Sequence, residues 1–222
     1  MIDEVFTPFY EACKPTRCGF GHIYAIPCYY PHKNLEFFRP ATFSNEPTKT
    51  FASTFEIKTA GADSFKHNHP LSIPKLDSNE EFVVVRAKPR YGIVLIPECP
   101  IEGFKEAGYH GTIWRPLSLI GQVFGLADTA SGESDFGPNF IRNLKKLDFP
   151  QLMFLPKHKG LFVVDSMLRL DECQSVFTDH LKHTGFRLSD EVTKLLRWQL
   201  KFLTTGEYDE EYELYRELMA EE

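Results

Sequence analysis

Apolar positions along most of this 222-residue chain fall in short runs separated by glycine, proline and polar clusters, a pattern that predicts strands. Gly21-His22-Ile23-Tyr24-Ala25-Ile26-Pro27-Cys28 reads as a strand whose far end is marked by Pro27 and Pro31. Thr54-Phe55-Glu56-Ile57-Lys58 alternates like an exposed strand or hairpin arm. Phe82-Val83-Val84-Val85 and Tyr91-Gly92-Ile93-Val94-Leu95-Ile96 are the strongest strand signals, and they flank a polar link, Arg86-Ala87-Lys88-Pro89-Arg90. A further apolar run from Thr112 to Ile120 is expected to stop at Gly121. More strands are expected over 149–155 and 160–168, and the composition of 130–135 reads as a loop.

Helical spacing is concentrated near the C-terminus. Ser189 is the expected N-cap, with Asp190 and Glu191 in a first turn where acids suit the helix dipole. Val192, Leu195, Leu196, Gln199, Leu200 and Leu203 share one face, and Gly206 ends the helix. Beyond it, Tyr208, Tyr212, Tyr215 and Met219 form a second stripe, which predicts another helix with an aromatic side available for docking. A short helix is also expected over 5–13, broken by Pro15.

Six or seven short strands and a terminal helix predict an α+β fold, a small antiparallel barrel or curled sheet with one helix packed across it. Helical crossovers are missing, which excludes a parallel α/β sheet. Residues 31–80, with Pro31, Pro40, Pro47, Pro70 and Pro74, read as an insertion elaborating a single domain over 1–206, with a tail over 207–222.

Charge sharpens this division. The tail holds eight acids and Arg216, so it carries −7 against a total of −6 and leaves +1 on the other 206 residues. The near-neutral body is compatible with an anionic ligand. Two arrangements of the tail are open: a solvated helix, or one docked by its tyrosines with carboxylates beside an anion-binding groove. Met1-Ile2-Asp3-Glu4-Val5 lacks the basic and apolar regions of a signal peptide, and no apolar run approaches the ~20 residues that span a bilayer. A cytoplasmic location without membrane association is therefore expected. Five scattered cysteines argue against a disulfide framework. Cys13, Cys18, Cys28 and His32 suggest a zinc site only loosely, and buried thiols are the plainer reading.

Familiar nucleotide-binding, metalloprotease and hydrolase signatures are absent. His67-x-His69 and His180-x-x-His183 are pairs without a neighbouring third ligand in sequence. Three segments in order remain. The first is the glycine turn into Gly21-His22-Ile23-Tyr24-Ala25-Ile26. The second couples Lys88-Pro89-Arg90 to Ile93-Val94-Leu95-Ile96 and then Thr112-Ile113 to Pro116-Leu117-Ser118. The third runs from Gly160-Leu161 into Asp165-Ser166-Met167-Leu168-Arg169-Leu170-Asp171 ahead of the last helix.

This order resembles the PemK/MazF family, the toxin halves of bacterial toxin–antitoxin pairs, over about half the chain. The resemblance implies an SH3-like barrel of the CcdB/PemK/MazF type, with insertions and a C-terminal helix. It also implies a homodimer, an antitoxin partner, no cofactor, and metal-independent cleavage of single-stranded mRNA by the RNA's own 2′-hydroxyl. By position, Arg90 would stabilise the phosphorane and Ser118 would be the hydroxyl donor. His22 stands where the family usually has Asp, as a possible acid or base. The family's Arg-Pro appears here as Lys88-Pro89 before Arg90-Tyr91, and Arg39-Pro40 offers a second register. RNA contacts would come from Lys88, Arg39, Lys33 and Tyr30, with Tyr29, Phe37 and Phe38 for stacking. A catalytically inactive barrel that binds RNA or protein is the competing reading.

Overall fold

The computed structural model describes residues 1–14, 18–30, 35–40, 55–61, 80, 82–97, 117–134 and 136–220. Two compact units are present: Met1–Cys28 together with Pro89–Glu222, and Tyr29–Lys88. The secondary structure is α+β, with the strands in two sheets.

The larger unit is built on β1 (Tyr10–Ala12), β2 (His22–Tyr30), β6 (Arg86–Ile96), β7 (Leu117–Gly125), β8 (Leu152–Leu155), β9 (Ser166–Phe177) and β10 (Lys182–Leu188). Their order is β1-β10-β2-β6-β7-β9-β8, and the pairs β1·β10, β10·β2, β6·β7, β7·β9 and β8·β9 are antiparallel. No strand pairing joins edge strand β1 to edge strand β8 among the described residues, so the sheet is open. Four α-helices accompany the sheets among the described residues: α1 (Ile2–Val5), α2 (Pro138–Lys145), α3 (Asp190–Thr205) and α4 (Glu210–Ala220).

Both sides of β6 are covered. Ile93 and Leu95 enter the larger core with Ile23, Leu168 and Leu196, whereas Val94 packs with Tyr24, Ile26, Cys28, Ile120 and Val176. Two-sided burial explains why Ile93-Val94-Leu95 is continuously apolar rather than alternating.

Several boundaries differ from expectation. The polar link 86–90 belongs to β6, because its exposed residues form the solvated end of that strand. Gly121 does not stop β7. A side chain there would stand 2.7 Å from Leu168 Cδ1 and 3.2 Å from Leu95 Cδ1, so its smallness admits neighbours on both sides. Residues 112–116 lie outside the described residues. The apolar run at 160–165 is a turn rather than a strand, closed by an isolated bridge between His158 and Phe162, and β9 starts only at Ser166. The first helix spans Ile2–Val5 alone, and Tyr10–Ala12 pairs with β10 instead of continuing it. Neither α2 nor β10 was expected: α2 is amphipathic but only eight residues long, and β10 is mostly polar in sequence.

The terminal helix agrees closely with its sequence signals: Ser189 Oγ accepts the Val192 N–H at 3.4 Å, and Gly206 caps the end at φ 74°. The tail is docked. Tyr212 and Met219 are fully buried, the Tyr215 ring packs at a tilt on Phe6 and Trp198 at 5.4 and 5.6 Å, and Lys194 and Lys201 of α3 pair with Glu211 and Asp209. No described helix is long and apolar enough to cross a membrane.

The smaller unit holds a three-stranded sheet in the order β4-β3-β5, from β3 (Glu36–Pro40), β4 (Phe55–Thr59) and β5 (Val83–Val84). Within it Phe37 is fully buried and Phe38 is exposed.

Candidate functional site

Tyr91 on β6 and the turn at 157–163 form a groove of ≈ 580 Å³, within the range of small-ligand pockets. The turn is fixed at both ends. The Lys157 N–H donates to Asp165 Oδ1 at 2.8 Å, and the backbones of His158 and Phe162 exchange hydrogen bonds at 3.0 and 3.1 Å. Aromatic rings anchor it from beneath: Tyr10 meets the His158 and Phe162 rings at 5.3 and 5.6 Å, and Phe186 meets His158 at 5.0 Å. Tyr91 crosses Phe162 edge-on at 5.3 Å. Exposed Lys157 and Lys159 stand on this rigid turn, and no ion pair engages either among the described residues. The groove thus offers the exposed Tyr91 ring beside two cations that no described carboxylate neutralises.

Tyr10 is the hinge of this arrangement. Its hydroxyl donates to the Pro156 carbonyl at 2.8 Å, and burial, assisted by the Asp165 carboxylate, pushes its ionisation far upward.

Arg90 immediately precedes Tyr91, and successive strand residues face opposite ways, so its guanidinium lies on the other side of β6. There it covers the Phe124 ring at 4.1 Å and Nη1 donates to Val123 O at 3.5 Å. Arg169 reaches the same ring at 5.8 Å while paired with Asp171 and Glu172. The two arginines gather on one aromatic ring.

The other residues singled out by the sequence are dispersed. Ser118 is fully buried, with Oγ 3.3 Å from Cys18 Sγ. It occupies the opposite end of β7 from Phe124, roughly 20 Å away at the usual strand rise. His22 begins β2 beside His183, with ring centroids 5.6 Å apart. Thus Arg90 stands apart from Ser118, while Cys18 and Tyr24 connect Ser118 toward the His22–His183 pair. Lys88 lies on the exposed end of β6. Arg39 is buried in the smaller unit, its guanidinium 5.2 Å from the Phe37 centroid. Tyr30 ends β2, and Lys33, His32 and the His67/His69 pair lie outside the described residues.

Around His22 the fold assembles a group that sequence spacing did not reveal. Cys13, His22 and His183 place ligand-type atoms within 4.8 Å of one another. The Tyr24 ring meets His183 edge-on at 4.8 Å. Burial lowers the pKa of both imidazoles, and His183 and Arg187 lower that of His22 further. Burial raises the Cys13 thiol. Cys28, grouped with Cys13 and Cys18 by sequence, is instead fully buried beside Val94 and Ile120. Cys13, His22 and His183 were each singled out by the sequence, but in three separate readings, because they come from three distant segments and no spacing joins them.

No family model matches this chain, and no curated protein matches it.

Proposed function

We propose that this protein binds single-stranded RNA in the groove beside Tyr91 and cleaves it through the RNA's own 2′-hydroxyl, as a toxin of the PemK/MazF type. The observation that carries the reading is the groove itself. Single-stranded nucleic acid is held by aromatic faces for bases and unneutralised cations for phosphates. Tyr91 on β6 supplies an exposed ring, and Lys157 and Lys159 supply the cations from the rigid turn beside it. The same turn contains Gly160-Leu161, part of the segment on which the family resemblance rests most specifically.

In this reading the phosphate to be cut lies across β6 from the groove, where Arg90 and Arg169 stabilise the charge that develops on phosphorus, since a planar guanidinium matches phosphate oxygens in pairs. The matching architecture is a small SH3-like barrel, supported by the Tyr10–Pro156 hydrogen bond, which links edge strand β1 to the segment leaving edge strand β8. The family reading also entails a homodimer and an antitoxin partner, which light scattering and co-expression with neighbouring genes would test.

One observation favours a second reading. Arg90 of β6 packs on Phe124 at one end of β7 and Ser118 lies at the other, which suits a barrel that binds RNA without cutting it. Incubating a long single-stranded RNA in chelator with the wild type, Arg90→Ala and the double variant Lys157→Glu/Lys159→Glu separates the two. The toxin reading expects discrete cleavage that is lost in both variants, with binding lost only in the lysine variant. Binding without cleavage identifies the module. No binding by the wild type sinks both readings.

A further inference from the structure

We propose that Cys13, His22 and His183 form a binding site for a borderline-soft divalent cation of the Zn²⁺ class. The three residues come from three segments: the position just after β1, the first position of β2 and the second of β10. The backbone holds them together. The Cys13 N–H donates to Gly185 O at 2.9 Å, and His183 lies opposite Tyr24 in the β10·β2 ladder. A regular ladder would then place Gly185 opposite His22. Arg187 stands there instead, so β10 bulges by two residues, with Gly185 at φ 87°. This irregularity sits beside the cluster, as bulges often do where side chains must be re-aimed.

One edge of the cluster already matches a tetrahedral ion, and all three donor atoms lie within 4.8 Å of one another. Usual Zn–S and Zn–N bond lengths give an S···N edge of about 3.6 Å across a tetrahedral angle. Cys13 Sγ and His183 Nε2 are 3.6 Å apart. The donor set is also selective: one thiolate and two imidazoles suit Zn²⁺ or Co²⁺, whereas Ca²⁺ and Mg²⁺ require oxygen ligands. His22 adds an independent sign, since its Nδ1 is buried without a hydrogen-bond partner. A buried polar nitrogen left unpaired is costly, and a nearby ligand would remove that cost. No fourth Cys, His, Asp or Glu joins the group among the described residues, so the fourth coordination position falls to water or an added ligand.

The surrounding hydrogen bonds make the site conditional. Gly185 N–H donates to His183 Nδ1 at 2.8 Å, which puts the proton of the neutral ring on Nε2, facing the Cys13 sulfur. Ligation through Nε2 requires that proton to move to Nδ1, displacing the Gly185 amide. The metal-free state is therefore an N–H···S hydrogen bond, and the bound state exchanges it for coordination while the bulge relaxes. The ion has no part in the RNA chemistry proposed above, so the two proposals stand or fall separately.

The test is Co²⁺ titration of the reduced, chelator-stripped full-length chain, followed by absorbance. One equivalent should give intense tetrahedral d–d bands and a thiolate charge-transfer band, displaced by Zn²⁺. Cys13→Ser should abolish the charge-transfer band, and His22→Gln or His183→Gln should weaken binding at least tenfold. Circular dichroism and thermal melts identify any variant that has merely lost its fold. The Gly185 amide resonance of the wild type, seen by ¹⁵N NMR, should shift on Zn²⁺ addition. Absence of the charge-transfer band in the wild type overturns the site. So does a band that survives Cys13→Ser but disappears in Cys18→Ser, or an unmoved Gly185 amide at saturating Zn²⁺.

Discussion

The Tyr10 hydroxyl donates to the Pro156 carbonyl at 2.8 Å, and this one bond spans from an edge strand of the seven-stranded sheet to the segment leaving the other edge. Tyr10→Phe removes the bond but keeps the ring packing on His158 and Phe162. It should cost about 1 kcal/mol. Tyr10→Ala also empties the space beneath the groove and should cost roughly 3–5 kcal/mol. Urea unfolding of the two variants measures the difference. In RNA binding, Tyr10→Phe should be mild and Tyr10→Ala severe.

The acidic tail is a structural element as well as a charge reservoir. Because Tyr212 and Met219 are fully buried, Tyr212→Ala should lose roughly 3–5 kcal/mol. Tyr212→Phe should change stability by less than about 1 kcal/mol at neutral pH, since the buried hydroxyl lies near Gln199 without a well-formed hydrogen bond. Truncation after residue 206 should lower the melting temperature sharply. An unchanged melt would show that the docking is energetically empty.

Tyr212 also sets an alkaline limit. Burial pushes its ionisation up to about 12 from an ordinary 10.0. The unfolded chain then loses this proton first as pH rises, so the stabilisation is complete below about pH 10 and is lost as pH climbs through the folded value. The full effect is on the order of 2–3 kcal/mol. Chemical denaturation between pH 9 and 12 should show a steeper decline for wild type than for Tyr212→Phe, and parallel curves would refute the linkage.

Gly121→Ala tests why β7 runs through a glycine. The added carbon meets Leu168 Cδ1 at 2.7 Å and Leu95 Cδ1 at 3.2 Å, so overpacking should cost about 1–3 kcal/mol, read from urea unfolding.

Groove lysines predict a salt signature. Every lysine withdrawn from a phosphate should flatten the dependence of log K on log salt by roughly 0.7 for a single strand. Lys157→Glu/Lys159→Glu should therefore flatten the slope as well as weaken binding. Ser118→Ala should alter cleavage less than tenfold, whereas Arg90→Ala should abolish it, because Ser118 is fully buried against Cys18. An equal loss in both would restore Ser118 to the chemistry.

Where the information was local, the chain spelled it out. The cap at Ser189, the apolar face through Leu196 and the stop at Gly206 each depend on residues within a few positions, and all three hold. The strand through Ile93, Val94 and Leu95 was legible for the same reason, whereas its burial on both faces emerged only from the packing. The run at 160–165 misled because an apolar turn buried over aromatic rings carries the same composition as a strand. β10 was silent because its pairing with β1 and β2 is specified by the partners' positions rather than by its own polar sequence.

The α+β character, the terminal helix and the docking stripe of the tail were thus determined by sequence, through periodicity and capping that act over a turn or two. Tertiary structure alone decided that Arg90 and Ser118 stand apart, that Lys157 and Lys159 flank Tyr91, and that Cys13 and His22 meet His183 across up to 170 positions of chain. Those meetings depend on strand order and on a two-residue bulge in β10. Strand order is set by the summed burial of the whole sheet, and no short window of residues encodes it.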